Sequence, residues 1–139
     1  MKAGDAVNAP QELRAAAAAA MRRAYAPYSD FRVGAALLAD DGTVIAGCNV
    51  ENSSFPAGSC AERGALAAAV VAGHRHFTQL VIVTDAKEPT SPCGMCRQAL
   101  GEFAPDLQVT SITTSGAEAR WSLADLLPHP FTPQSLRHT

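Results

Sequence analysis

The chain has 139 residues, which suits one domain around a single core. Hydrophobic residues make up 47% and charged residues 17%, a globular balance that excludes a disordered chain. With 11 Lys and Arg against 13 Asp and Glu, the net charge of -2 excludes the basic footprint that a nucleic-acid polymer or an anionic membrane demands.

In chain order, residues 1–9 are polar and expected to be disordered. Pro10 opens an alanine-rich helix running to about Tyr25 and ended by Pro27. Its alanine run has Glu12 and Arg14 before it and Arg22 and Arg23 after it, so it is neither a leader nor a membrane span. Residues 31–39 read as a buried strand, Asp41-Gly42 as a hairpin turn and residues 43–49 as the returning strand. A loop over 52–58 precedes a helix over 60–72, stopped by Gly73. Residues 80–84 (LVIVT) are the most strand-like run, followed by a helix over 92–103 and a strand over 109–113. Gly116 turns into a short strand near Arg120, and Ser122-Leu-Ala-Asp125 has the form of a capping box before a short helix. Residues 128–139, with Pro128, Pro130 and Pro133, read as an extended tail. The order α-β-β-α-β-α-β implies a mixed sheet between helices, in one domain spanning 1–139.

Four cysteines in a chain read as cytoplasmic point to metal or catalysis rather than disulfides. Cys93-Gly-Met-Cys96 is a C-x-x-C pair with Ser91 as an expected N-cap and Pro92 at the first helical position. Ser59 is likewise the expected N-cap of the helix bearing Cys60. Two helix N-termini would gather three thiols where the dipole and free N–H groups favour thiolate, the form that binds zinc. Three protein ligands leave one tetrahedral position open, the mark of catalytic zinc, one ion per chain. A closed site adding Cys48 is the structural alternative, and a redox C-x-x-C leaves Cys60 unexplained.

Glu62 follows Cys60 by two residues. It reads either as the acidic end of a Ser59-x-x-Glu62 capping box or as a proton carrier beside the metal. Three thiolates and Zn²⁺ sum to one negative charge, so Arg63 is a candidate to drain it by donating to sulfur, against the ordinary reading of a solvated arginine. Gln98 is a weaker candidate for the same supporting shell.

Cys60-Ala-Glu62-Arg63 followed by Ser91-Pro-Cys93-Gly-Met-Cys96-Arg97-Gln98 resembles the zinc cytidine deaminases. The likeness extends to Ala24-Tyr-Ala-Pro-Tyr28-Ser, Phe31-Arg-Val-Gly-Ala-Ala36, Asn49-Val-Glu51-Asn52 and Leu126-Leu-Pro128-His-Pro-Phe131, and covers roughly residues 10 to 136. These motifs resemble the free-nucleoside branch, and the all-cysteine ligand set resembles its small homotetrameric form. The resemblance implies a three-layer α-β-α fold around a mixed five-stranded sheet. It implies hydrolysis of cytidine and deoxycytidine at C4 to uridine or deoxyuridine and ammonia, with Glu62 shuttling protons to N3 and to the leaving group. Asn49 and Glu51 would meet the ribose hydroxyls, Phe31 and Ala61 would line the substrate, and Phe131 would reach a neighbouring subunit's site. Phe55 departs from the tyrosine common in relatives, which puts an interface hydrogen bond in doubt. A related deaminase, such as one acting on blasticidin S, and a non-catalytic zinc-stabilised module are the competing readings. A polynucleotide substrate is disfavoured by the charge balance.

Overall fold

The computed structural model describes residues 9–137. Its elements are α1 (Gln11–Met21), β1 (Val33–Ala39), β2 (Val44–Cys48), a 3₁₀ turn (Phe55–Ala57), α2 (Ala61–Val71), β3 (Phe77–Thr84), α3 (Gly94–Gly101), β4 (Gln108–Thr113), β5 (Glu118–Ser122), α4 (Leu123–Leu126) and α5 (Pro133–Arg137). The five strands form one sheet in the order β2-β1-β3-β4-β5. Only β3 and β4 run parallel, joined through α3; the other neighbours are antiparallel. The expected mixed sheet between helices is therefore the architecture of the chain.

The alternation of side chains along the strands builds two cores. Ala35, Leu37, Leu80, Ile82 and Val109 face α2 and α3 and pack with Ala65, Leu66 and Leu100. Ala36, Val81 and Val83 face the other way, onto Leu13 and Ala17 of α1. Leu13, Leu37, Leu80 and Leu100 are essentially inaccessible, and truncating such a leucine to alanine costs about 2–5 kcal/mol. Arg14 ties α1 to the far strand through Glu118, 2.7 Å away.

Glycine sets how closely α2 lies on the sheet. A Cβ at Gly47 of β2 would stand 2.7 Å from the Ala61 carbonyl oxygen, so the first turn of α2 rests on bare backbone there. Gly42 (φ 90°) closes the β1–β2 turn, and Gly73 (φ 98°) ends α2 as expected. At that end His74 N–H bonds the Ala69 carbonyl and Gly73 N–H bonds the Val70 carbonyl.

Three expectations change. Helix α1 stops at Met21 rather than near Tyr25, because Tyr25 bonds the backbone of Asn49 and Glu51 in a short bridge. Strand β3 begins at Phe77, three residues before the apolar run, carried by pairing with β1. The tail contains α5, which the Thr132 and Ser135 hydroxyls cap with reciprocal bonds to each other's backbone N–H, with Pro133 at its first position. Of the segment 1–9, only Ala9 is among the described residues, and it is buried.

Candidate metal centre and cleft

The two helices that carry the cysteines begin later than their sequence implies. Cys60 itself occupies the N-cap of α2, and Cys93 that of α3, both in extended backbone. Ser59 and Ser91 are not caps: the Ser59 hydroxyl meets the Cys60 carbonyl, and the Ser91 hydroxyl accepts from Arg97. A thiol at the N-cap is a poor hydrogen-bond acceptor: neither cap makes a well-formed side-chain bond, and the Cys96 N–H offers the Cys93 sulfur only a weak one. What holds these thiols at helix entrances is the meeting of the two helices.

That meeting brings Cys60, Cys93 and Cys96 together with all three Sγ atoms within 4.8 Å of one another. Cys60 and Cys93 sulfurs are 3.8 Å apart, Cys93 and Cys96 sulfurs 3.4 Å. A tetrahedral zinc with Zn–S bonds near 2.3 Å needs sulfurs roughly 3.8 Å apart, so the donor set fits the ion. Cys48, at the end of β2, is outside this group, and among the described residues the closed four-cysteine site has no support.

Electrostatics supply a second test. Burial pushes the Cys96 and Cys60 thiols up, Glu62's charge adding to the effect at Cys96 and hydrogen bonds from Cys96 and Arg63 opposing it at Cys60. At Cys93 burial pushes the same way, yet the Cys96 N–H and the neighbouring thiols hold the group below its usual range. Burial and the closeness of the other acidic groups thus oppose ionisation at two of the three thiols, a cost that a divalent cation relieves. Arg63 Nη2 lies 4.0 Å from Cys60 Sγ, and its Nε is buried without a hydrogen-bond partner among the described residues. A donor left over beside clustered sulfurs suits a site whose acceptors are thiolates.

Glu62 sits in the first turn of α2, 5% exposed. Burial raises its carboxyl above the usual range, with the Cys96 thiol and the Arg63 charge among the opposing contributions. The capping box is absent, since the Ser59 hydroxyl points to a carbonyl instead. Glu62, Cys60, Cys93, Ala61 and Arg63 line a cleft of about 440 Å³, together with Phe31, Asn49 and Glu51. That volume is within the range of small-molecule sites, roughly 300–1,000 Å³. Val33, Ile82 and Met95 give the cleft apolar walls.

The other expected residues are placed as follows. Asn49 spends both ends of its amide on backbone, accepting from Val33 N–H at 2.8 Å and donating to the Phe31 carbonyl at 2.7 Å. Glu51 accepts from the N–H groups of Tyr28 and Ser29 and from the Ser29 hydroxyl. The Ser29 hydroxyl, above all, holds its carboxyl below the usual range. Phe131 is 60% exposed and lies outside the cleft lining. Gln98 donates to the Phe131 carbonyl at 2.8 Å, so its amide serves the tail rather than a sulfur. Sequence reasoning missed Ser29, which orients Glu51; its only signal was membership of the Ala24–Ser29 motif. A second cleft of about 380 Å³ adjoins at Glu51, between Tyr28 and Phe55, whose rings meet edge to face at 6.0 Å.

Residues 8–111 match the family described as the cytidine and deoxycytidylate deaminase zinc-binding region. The chain is 43% identical over 129 residues to a cytidine deaminase of Sporosarcina psychrophila, covering 92% of this chain and 95% of that one. It is 46% identical over 124 residues to a cytidine deaminase of Mycobacterium tuberculosis strain H37Rv, covering 89% and 80%. Among solved structures it superposes on cytidine deaminase from Burkholderia pseudomallei with a TM-score of 0.84 and 45% identity, covering 88% of this chain and 99% of that one.

Proposed function

The chain belongs to the cytidine and deoxycytidylate deaminase family, and from that premise we propose that it hydrolyses cytidine and deoxycytidine to uridine and deoxyuridine with release of ammonia. The observation that carries the proposal is the cluster of three thiols within 4.8 Å of one another, two of which, Cys60 and Cys93, line a cleft that also holds the buried Glu62.

In this reading Cys60, Cys93 and Cys96 hold one zinc ion. When bound, zinc acts as a Lewis acid and brings a water's pKa toward neutrality. Arg63 donates toward the Cys60 sulfur and offsets the excess negative charge of three thiolates. Glu62 accepts a proton from the attacking water and delivers it to N3 of the pyrimidine. The C4–O bond forms, the C4–N bond breaks, and Glu62 passes the second water proton to the departing amine as ammonia. Because Glu62 is buried beside apolar walls, it loses its proton to the substrate rather than to bulk solvent.

At the other end, Asn49 and Glu51 meet the sugar hydroxyls with the hydrogen-bonding capacity that their backbone contacts leave, and Phe31 and Ala61 pack on the substrate. Arg63 is the one basic residue among the described residues lining the cleft, and it serves the sulfurs, which leaves a 5′-phosphate without a partner. The substrate is therefore a free nucleoside.

The proposal extends to a homotetramer with shared sites. Its support is surface: Tyr28, Phe55 and Phe131 are 53%, 75% and 60% exposed, an aromatic display that a second copy would cover. Phe55 brings no hydroxyl to that contact. No described helix is long and apolar enough to cross a membrane, and the proposal places the enzyme, as one domain over residues 1–139, in the cytoplasm, where thiols stay reduced.

The test is an ultraviolet assay of uridine formation on purified protein carrying one zinc per chain. Cytidine should be consumed with kcat/KM far above that for cytosine or cytidine monophosphate, and a chelator should abolish turnover. Comparable kcat/KM for the monophosphate, or undiminished turnover after the zinc is removed, would refute the reading.

A further inference from the structure

Arg97 stands next to Cys96 in the first turn of α3, where a cation opposes the helix dipole. Such a placement asks for a local reason. The side chain turns back along the chain instead of out to solvent. Its Nε donates to the Pro92 carbonyl at 2.7 Å and its Nη2 to the Ser91 hydroxyl at 3.1 Å. Its Nη1 crosses to the Leu126 carbonyl at 2.9 Å, 29 residues away in sequence. Three separate acceptors are thus held by three separate nitrogens of one plane.

The acceptors matter because of where they are. Ser91 and Pro92 immediately precede Cys93, the most exposed of the three clustered cysteines. Pro92 is fully buried, and its carbonyl has no place in the α3 ladder, which begins at the Cys93 carbonyl. Ser91 also lines the cleft. Leu126 ends α4 and leads into the tail that carries Phe131, itself held by Gln98, the next residue on α3.

We propose that Arg97 is a positioning residue for the metal centre: its guanidinium fastens the Ser91–Pro92 turn that presents Cys93 to the C-terminal segment at Leu126. The proposal rests on the zinc reading above. It gives α3 two consecutive ties to the tail, Arg97 to Leu126 and Gln98 to Phe131, so the register of the ligand turn and the docking of the tail are set together. Lysine gathers its three N–H donors on one nitrogen and cannot span acceptors that Arg97 reaches with three separated ones, so charge alone does not substitute.

The test uses the zinc-loaded full chain. Zinc affinity is measured by competition with a chromogenic chelator for the wild type, Arg97→Lys, Arg97→Met and Ser91→Ala. Arg75→Lys is the control, an arginine that binds the Val70 and His74 carbonyls at the opposite end of α2. Loss of a residue that supports a metal ligand typically weakens binding by roughly 10–100-fold. Both Arg97 variants should lose zinc affinity in that range, Ser91→Ala by less, and Arg75→Lys not at all. With zinc saturating, Arg97→Lys should recover most of its kcat with KM near that of the wild type. If Arg97→Met does not fold, Arg97→Lys and Ser91→Ala decide the matter. Wild-type affinity in those two, or an equal loss in Arg75→Lys, overturns the proposal. A wild type that holds no zinc overturns it together with the functional reading, whereas a zinc-loaded wild type with unaffected variants overturns this inference alone.

Discussion

The cleft has two ends built on different terms. At the cysteine end, the side chains to which the proposal gives the chemistry leave helix entrances and make few bonds to backbone: Glu62 is buried away from Ser59, and Arg63 keeps a buried donor without a partner among the described residues. At the loop end, Asn49 and Glu51 are committed, Asn49 to the Phe31–Val33 backbone and Glu51 to Tyr28 and Ser29. Groups without internal partners are costly to the fold and available to a ligand. Groups with internal partners hold the loop in shape and offer a ligand only their remaining lone pairs or protons. Substitutions at the first end should therefore damage reaction without damaging folding, and substitutions at the second end should damage both.

The largest effect expected is at Glu62. Glu62→Gln keeps the size of the side chain and its place in α2 but cannot carry a proton. Activity should fall by more than the roughly 10²–10⁴-fold of one general acid–base step, since the proposed mechanism gives Glu62 more than one. Zinc content by metal analysis and the thermal melting midpoint should stay near those of the wild type. A variant that turns over normally, or one that unfolds, breaks the contrast at its metal end.

Asn49→Ala should act on both counts. It removes two hydrogen bonds to the Phe31–Val33 backbone, one of them exposed, each worth about 0.5–1.5 kcal/mol, so about 1–2 kcal/mol of stability should go. The KM for cytidine should rise in the same variant, and denaturant unfolding beside steady-state kinetics measures the pair of effects. A rise in KM with stability intact would mean that the backbone contacts of Asn49 are incidental.

Glu118 lies outside both ends and calibrates an ordinary ion pair. The hydrogen bond from Arg14 is the main reason its carboxyl is held below the usual range; partial burial opposes it, and Arg120 assists. A lowered folded-state pKa gives stability that is present above the unfolded value, near 4.3, and lost as pH falls through the folded value. Glu118→Gln should cost about 0.2–1 kcal/mol at pH 7 and leave activity unchanged, and its gap to the wild type in melting midpoint should narrow as pH falls below the unfolded value. A gap that does not narrow in acid would show that the pair contributes by packing rather than charge.

Much of this molecule was legible as pattern. The Asp41-Gly42 turn, Gly73 after α2 and the Ser122 cap follow from local rules that hold wherever the chain is placed, and each is where the rules put it. The three cysteines were legible as a ligand set because thiols at that spacing in a chain of this kind have few other uses. The helix starts were read one and two residues early, because serine is the stronger N-cap in isolation; the packing of α2 on α3 leaves Cys60 and Cys93 in that position instead.

The amino-acid sequence by itself determined most of the elements, the cysteine cluster and the carboxylate beside it, since these depend on residue type and short spacing. Only the tertiary structure decided how the amides, carboxylates and guanidinium groups are used. Whether Asn49 faces the backbone, whether Gln98 holds a sulfur or the Phe131 carbonyl, and whether Arg97 points to solvent or to Leu126 depends on acceptors that lie 18, 33 and 29 residues away. A hydrogen bond is a matter of a few tenths of an ångström and of direction. Spacing along the chain carries no such information until the sheet has brought the partners together.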